Sequence, residues 1–344
     1  MKDRFVYVLL ILGSLLFFAT PALSLNAFDS CMLKAIQNAS SDMTIGELKA
    51  ECRKEQAAVQ KNVTETDSSD RADKGYTFSN RLKEDEKNIL RPFSLMAHKP
   101  NYILFGAYNH NGFDPSLHQE QYSNPSLSAK HVESQFQLSI KSPLVVDLFK
   151  QNIDIYAAYT NLSFWQVYNS EFSSPFREIN HEPEAWIQFN PAEIKAFAIK
   201  NSRNRIGFVH QSNGKGGILS RSWNRVYLSM LFEKNNFTFS IKPWLRIPED
   251  AENDDNPNIT DYLGHYHVRF GYKLSDHTFS MMLRNNLESG FSKGAMELGW
   301  SFPLWKYNFI KGYVHYFSGY GHSLIDYDNY INSIGVGVLL TDIL

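Results

Sequence analysis

Only two of the 344 residues are cysteine, Cys31 and Cys52. That is too few for a disulfide-dense scaffold, and two cysteines alone do not make a zinc site. Neither sign of charge is in excess: 34 Lys and Arg against 36 Asp and Glu leave a net −2. No basic patch dominates, which argues against nucleic acid as a partner. Long apolar runs are also missing after the first twenty or so residues. A membrane-spanning helix needs about 20 apolar residues in a row, so the rest of the chain offers none. Aromatic residues, by contrast, are abundant, with 25 Phe, 18 Tyr and 6 Trp spread along the chain.

The start reads as a signal peptide over residues 1–24: a charged Met1-Lys2-Asp3-Arg4, an apolar run from Phe5 to Ala19, and small residues before a cut after Ser24. Residues 25–60 have helical spacing, with Phe28, Met32, Leu33 and Ile36 on one stretch and Ile45, Leu48 and Ala50 on the next. Cys31 and Cys52 fall one on each, which in an oxidising compartment suggests one disulfide clamping a helical hairpin. Residues 61–94 form a polar linker.

From residue 95 the texture changes to short alternating segments between turn-rich stretches. Twelve strands are expected, near 99–109, 131–141, 152–161, 183–190, 203–212, 223–233, 237–246, 264–274, 278–286, 292–302, 307–318 and 331–342. Tilted strands of about 9–11 residues span a bilayer, and short turns alternating with longer loops are the habit of outer-membrane barrels. An exported chain with this pattern and no spanning helix is expected to be an all-β, 12-stranded antiparallel transmembrane β-barrel with a short N-terminal helical segment. Trp165, Trp186, Trp244, Trp300 and Trp305 suit interfacial belts, while Arg203, Arg205 and Arg225 take the inward parity.

Chemistry concentrates at one strand–loop–strand stretch, His210-Gln-Ser-Asn-Gly-Lys-Gly-Gly-Ile-Leu-Ser-Arg-Ser-Trp-Asn-Arg-Val-Tyr227. By strand parity His210, Ser212 and Asn224 share the apolar face with Phe208 and Val226. Paired as a hairpin, the two strands bring residues 210 and 224 opposite each other. A serine hydroxyl becomes a nucleophile when a base takes its proton and a third group fixes the base's tautomer. On spacing alone, a polar strand end followed by an Asn-Gly turn explains the same residues.

His210-x-Ser-Asn-Gly214, followed by Ser220-Arg-Ser-Trp-Asn-Arg-x-Tyr227, resembles the active-site segment of bacterial outer-membrane phospholipase A. The resemblance extends over roughly 95–344 through Lys99-Pro-Asn-Tyr-Ile-Leu104, Gln166 to Glu178, Asp254-Asp-Asn-Pro257 and Ser318 to Tyr327. It implies Ser212 as nucleophile, His210 as general base and acid, Asn224 as the group orienting the histidine, and the Gly214 N–H as an oxyanion donor. It implies a calcium ion held by the Ser220 side chain and the Lys215 carbonyl, with Ser173 supplied by the partner of a homodimer. The acidic run Glu249-Asp-Ala-Glu-Asn-Asp-Asp255 reads as a solvated loop, with Asp255 its one member to be watched as a further calcium ligand. The family often has arginine at the position of Lys215, a swap that a carbonyl ligand survives. The loop residues Gly216-Gly217-Ile218-Leu219 lack the acidic residue of some relatives, which removes a donor for any additional calcium site.

The resemblance thus implies calcium-dependent hydrolysis of phospholipid acyl esters (phospholipase A1, A2 and lysophospholipase) at the outer leaflet, switched on by dimerisation. Two rivals use the same barrel. A non-catalytic channel needs none of these residues, and a lipid A deacylase shares the His-x-Ser logic without the Asn-Gly and Ser-Arg-Ser-Trp-Asn context.

Overall fold

The structure, a computed structural model, describes residues 95–342 apart from 171–175, 190–194, 197–198 and 305–306, together with Lys49, Cys52, Phe78 and Ser79. The chain divides into two units, Met1–Asp73 and Lys74–Leu344. In the first, Lys49 and Cys52 are helical, and Cys52 is buried and disulfide-bonded. Cys31, Ser173, the signal-peptide segment and nearly all of the linker lie outside the described residues.

The second unit is a closed barrel of twelve long strands. They are β1 Asn101–Asn109, β2 Val132–Val145, β3 Ile153–Trp165, β4 Phe176–Phe189, β5 Ile199–Ser212 and β6 Ser222–Lys234. They continue as β7 Phe237–Ile247, β8 Tyr266–Leu274, β9 His277–Asn285, β10 Gly294–Leu304, β11 Tyr307–Gly319 and β12 Ile331–Thr341. Each pairs antiparallel with the next, and β12 returns to pair with β1, so the sheet has no open edge. Two-residue extensions, Met96–Ala97 and Lys195–Ala196, add to β2 and β5.

Alternation decides which side chains meet the outside. On β5 and β6, Ile206, Phe208 and Val226 are exposed, whereas Gly207, Val209, Trp223, Arg225 and Tyr227 face inward. The interior is packed with large aromatics and charges. Arg205 lies 4.4 Å over the Trp186 ring and Arg225 lies 3.9 Å over Trp223. Gly207 makes room for this packing. A Cβ there would come within 2.5 Å of the Tyr227 ring and 2.8 Å of Trp186.

Two sequence expectations change. Trp186 and Trp244 belong to the buried interior rather than an interfacial belt. Their strand parity points inward, and the indole ring serves as a stacking platform for arginine. Trp300 does face outward. The fourth strand begins at Phe176, seven residues before Pro183, which marked its expected start. The ladder continues through the proline, with Pro183 opposite Tyr159.

The two-residue turns at 235–236 and 275–276 lie at one end of the barrel, with the start of β1 and the end of β12. The long connections lie at the other: 110–131, 213–221, 248–265 and 320–330. Two short helices sit in these long loops, α1 Ser116–Gln121 and α2 Ile259–Leu263.

Candidate active site

The register of β5 with β6 places Phe208 opposite Val226, His210 opposite Asn224 and Ser212 opposite Ser222. His210, Ser212 and Asn224 therefore continue the exposed apolar rows of Phe208 and Val226 toward the long-loop end. His210 Nδ1 lies 2.9 Å from Asn224 Oδ1. The other side of the Asn224 amide meets Glu249, whose Oε1 accepts from Asn224 Nδ2 at 3.0 Å. A carboxylate only accepts, so the amide NH₂ faces Glu249 and the amide oxygen faces His210. That oxygen in turn requires a proton on Nδ1, leaving Nε2 as the basic nitrogen of the neutral ring.

The loop from Asn213 to Arg221 is held by its own first residue. The buried Asn213 Oδ1 accepts from the Lys215 N–H at 3.3 Å and from the Arg221 N–H at 3.1 Å, while its amide donates to the Leu219 carbonyl at 2.8 Å. At Gly214 the chain turns with φ of 65°, a conformation a side chain resists. Beneath the loop, Lys215 Nζ donates to the Arg177 carbonyl at 2.5 Å and lies 3.4 Å from Glu178 Oε2. Burial lowers the Lys215 pKa, with Glu178 opposing the shift. His118 of α1 lies 3.3 Å from the same Nζ. Burial, reinforced by this positive neighbour, pushes the imidazole down to about 4.

Of the expected metal ligands, Ser220 and Asp255 come together, with Ser220 Oγ donating to Asp255 Oδ2 at 2.5 Å. Asp255 reaches the site because its neighbours are pinned. The fully buried Asn256 accepts from the Ser222 N–H at 2.9 Å, and Asp254 pairs with Arg246 at 2.6 Å. Among the described residues no cluster of three His, Cys, Asp or Glu side chains is arranged for a metal ion. The Ser220 hydroxyl and the Asp255 carboxylate are both oxygen donors, the kind a hard ion such as calcium takes.

Two neighbours of the site escaped the sequence reading. His181 on β4 pairs directly with Ser212 and bonds to the Tyr159 hydroxyl at 2.6 Å. Glu249 lies in the acidic run that the sequence alone presents as a solvated loop. The signal available for each was parity alone: 181 continues the outward row of Ile187, and 249 the outward row of Leu245 and Ile247.

The model of the phospholipase A1 family matches residues 78–340. The chain belongs to the phospholipase A1 family. Phospholipase A1 of Salmonella typhimurium is 37% identical over 271 residues, 78% of this chain and 88% of that one. Phospholipase A1 of Escherichia coli K12 is 36% identical over the same shares. Among solved structures, the outer membrane phospholipase A of Escherichia coli superposes with a TM-score of 0.67 at 34% identity, covering 73% of this chain and all of that one. The Salmonella typhi outer membrane phospholipase, a dimer with bound calcium, gives 0.68 at 34% identity, covering 75% and 97%. Family and fold together make this chain an enzyme of the phospholipase class built as an outer-membrane barrel.

Proposed function

We propose that the chain hydrolyses phospholipid acyl esters with Ser212 as nucleophile, at the outer leaflet. The observation that carries this reading is the 2.9 Å hydrogen bond from His210 to Asn224 on the outward face that also bears Ser212. A neutral ring with Nδ1 engaged presents Nε2 to the Ser212 hydroxyl. As Ser212 Oγ attacks the ester carbonyl, Nε2 takes its proton. The imidazolium then returns it to the departing glycerol oxygen, releasing a lysophospholipid. Water, deprotonated by the same nitrogen, cleaves the acyl-serine to fatty acid and restores Ser212. The Gly214 N–H is the proposed backbone donor to the oxyanion.

Ser220, Asp255 and the Lys215 carbonyl would hold a calcium ion, whose charge would stabilise the developing oxyanion. The partner subunit's Ser173 would complete that shell in a homodimer. The calcium-bound dimer of the Salmonella typhi relative supports both points. Apolar rows flanking the site give acyl chains a surface to lie on, and the same chemistry serves sn-1, sn-2 and lysophospholipid esters.

A long-chain sulfonyl fluoride tests the nucleophile. In calcium-loaded dimers, peptide mass spectrometry should find the label on Ser212, with loss of activity in step. Label on another residue with equal inactivation would contradict the assignment. Lipid A deacylation in place of phospholipid hydrolysis would favour the deacylase rival, and ion conductance without hydrolysis the channel.

A further inference from the structure

We infer that Glu249 is a fourth member of the catalytic row, a positioning residue that acts on His210 through Asn224. The inference rests on the Ser212–His210–Asn224 reading and extends it. Asn224 pairs with Ile247 at the end of β7, and Glu249 follows two residues later on the same outward parity. Three adjacent strands therefore contribute one row: His210 from β5, Asn224 from β6 and Glu249 just beyond β7. The hydrogen bonds run continuously along it, at 2.9 Å from His210 to Asn224 and 3.0 Å from Asn224 to Glu249.

An amide alone is ambiguous, because rotation by half a turn exchanges its oxygen for its NH₂. The flipped amide would point a donor at His210 Nδ1 and favour the wrong tautomer. Glu249 removes that choice, since a carboxylate cannot face the amide oxygen without repulsion. It also polarises the amide, raising negative charge on Oδ1 where it meets the ring. When His210 takes the Ser212 proton, the new positive charge faces an amide backed by a carboxylate. The site then gains an acidic residue's influence without placing the carboxylate against the imidazole. His181, the other imidazole beside Ser212, bonds to the Tyr159 hydroxyl and lies outside the His210–Asn224–Glu249 run of hydrogen bonds.

The test is steady-state hydrolysis of a monoacyl phospholipid in detergent micelles by the full chain, with saturating calcium. Glu249→Ala is expected to lower kcat about tenfold, a fraction of the 10²–10⁴ that a general base contributes, with KM within about twofold. Glu249→Gln keeps an acceptor but loses the charge, so its kcat should fall between Ala and wild type. The exposed neighbour Asp250→Ala should leave kcat unchanged. In an Asn224→Ala background, Glu249→Ala should have no further effect, because the group through which it acts is gone. A kcat for Glu249→Ala within twofold of wild type would overturn the inference. So would an equal loss in both backgrounds, which would mark a general effect on the loop. Full activity in Ser212→Ala would instead remove the underlying reading, an outcome distinct from either.

Discussion

Lys215 Nζ lies 2.5 Å from the carbonyl oxygen of Arg177, joining the loop that follows Ser212 to the first residues of β4. The contact ties a proposed calcium-binding loop to the buried charge network of Arg177, Glu133 and Asp326. Lys215→Met keeps the backbone carbonyl but releases the anchor. The expected result is about a tenfold rise in half-saturating calcium, the scale on which groups supporting a metal site act. A calcium titration of hydrolysis measures it; an unchanged midpoint would show that the loop is held without the lysine.

Arg177 itself is a structural residue. Its Nε and Nη2 each donate to Glu133 at 2.9 Å, its Nη1 meets Asp326 at 2.5 Å, and its guanidinium stacks 4.0 Å over Phe113. Both carboxylates are buried. Arg177→Met would leave them without their counter-charge, at a cost of about 3–5 kcal/mol. Urea unfolding of the barrel should show a lower midpoint, and an unaltered midpoint would contradict this account.

The same network shows what the sequence could and could not convey. Gln166 to Glu178 and Ser318 to Tyr327 are legible as motifs, yet their joint purpose depends on a meeting across 149 residues of chain, Arg177 with Asp326. Leu324 N–H bonds to Asn180 at 3.0 Å and Ile325 N–H to Glu178 at 3.1 Å, completing a seam beneath the loop that follows Ser212. Strand positions were legible because one face meets lipid and period-two alternation follows. The His210–Asn224 pairing was legible for the same reason, since a hairpin register follows from parity and loop length. Trp186 and Trp244 were misplaced because an indole suits an interface and an arginine-lined interior equally well. Glu249 was invisible because an acidic loop reads as solvated until the neighbouring strand fixes which carboxylate bends back.

His118 gives the loop a pH limit. Burial and Lys215 hold its folded pKa at about 4, against 6.5 for an unperturbed ring. The unfolded chain therefore binds a proton between these values that the folded chain does not. Its contribution to stability is complete above pH 6.5 and is lost as the pH falls toward 4. Unfolding midpoints measured from pH 7 to pH 4 should decline less steeply in His118→Gln than in wild type. Parallel curves would contradict it.

Ser220→Ala removes one proposed calcium oxygen and frees Asp255 from its 2.5 Å hydrogen bond. Activity at limiting calcium should fall at least tenfold and recover in part as calcium is raised. Loss that no calcium concentration restores would place Ser220 in a role other than metal binding.

The most direct test of the central claim is fatty-acid release from mixed phospholipid–detergent micelles by wild type and Ser212→Ala, each with calcium and with chelator. The account predicts release by wild type in calcium alone, and a fall of at least about a thousandfold in the variant. Undiminished release by Ser212→Ala would contradict it.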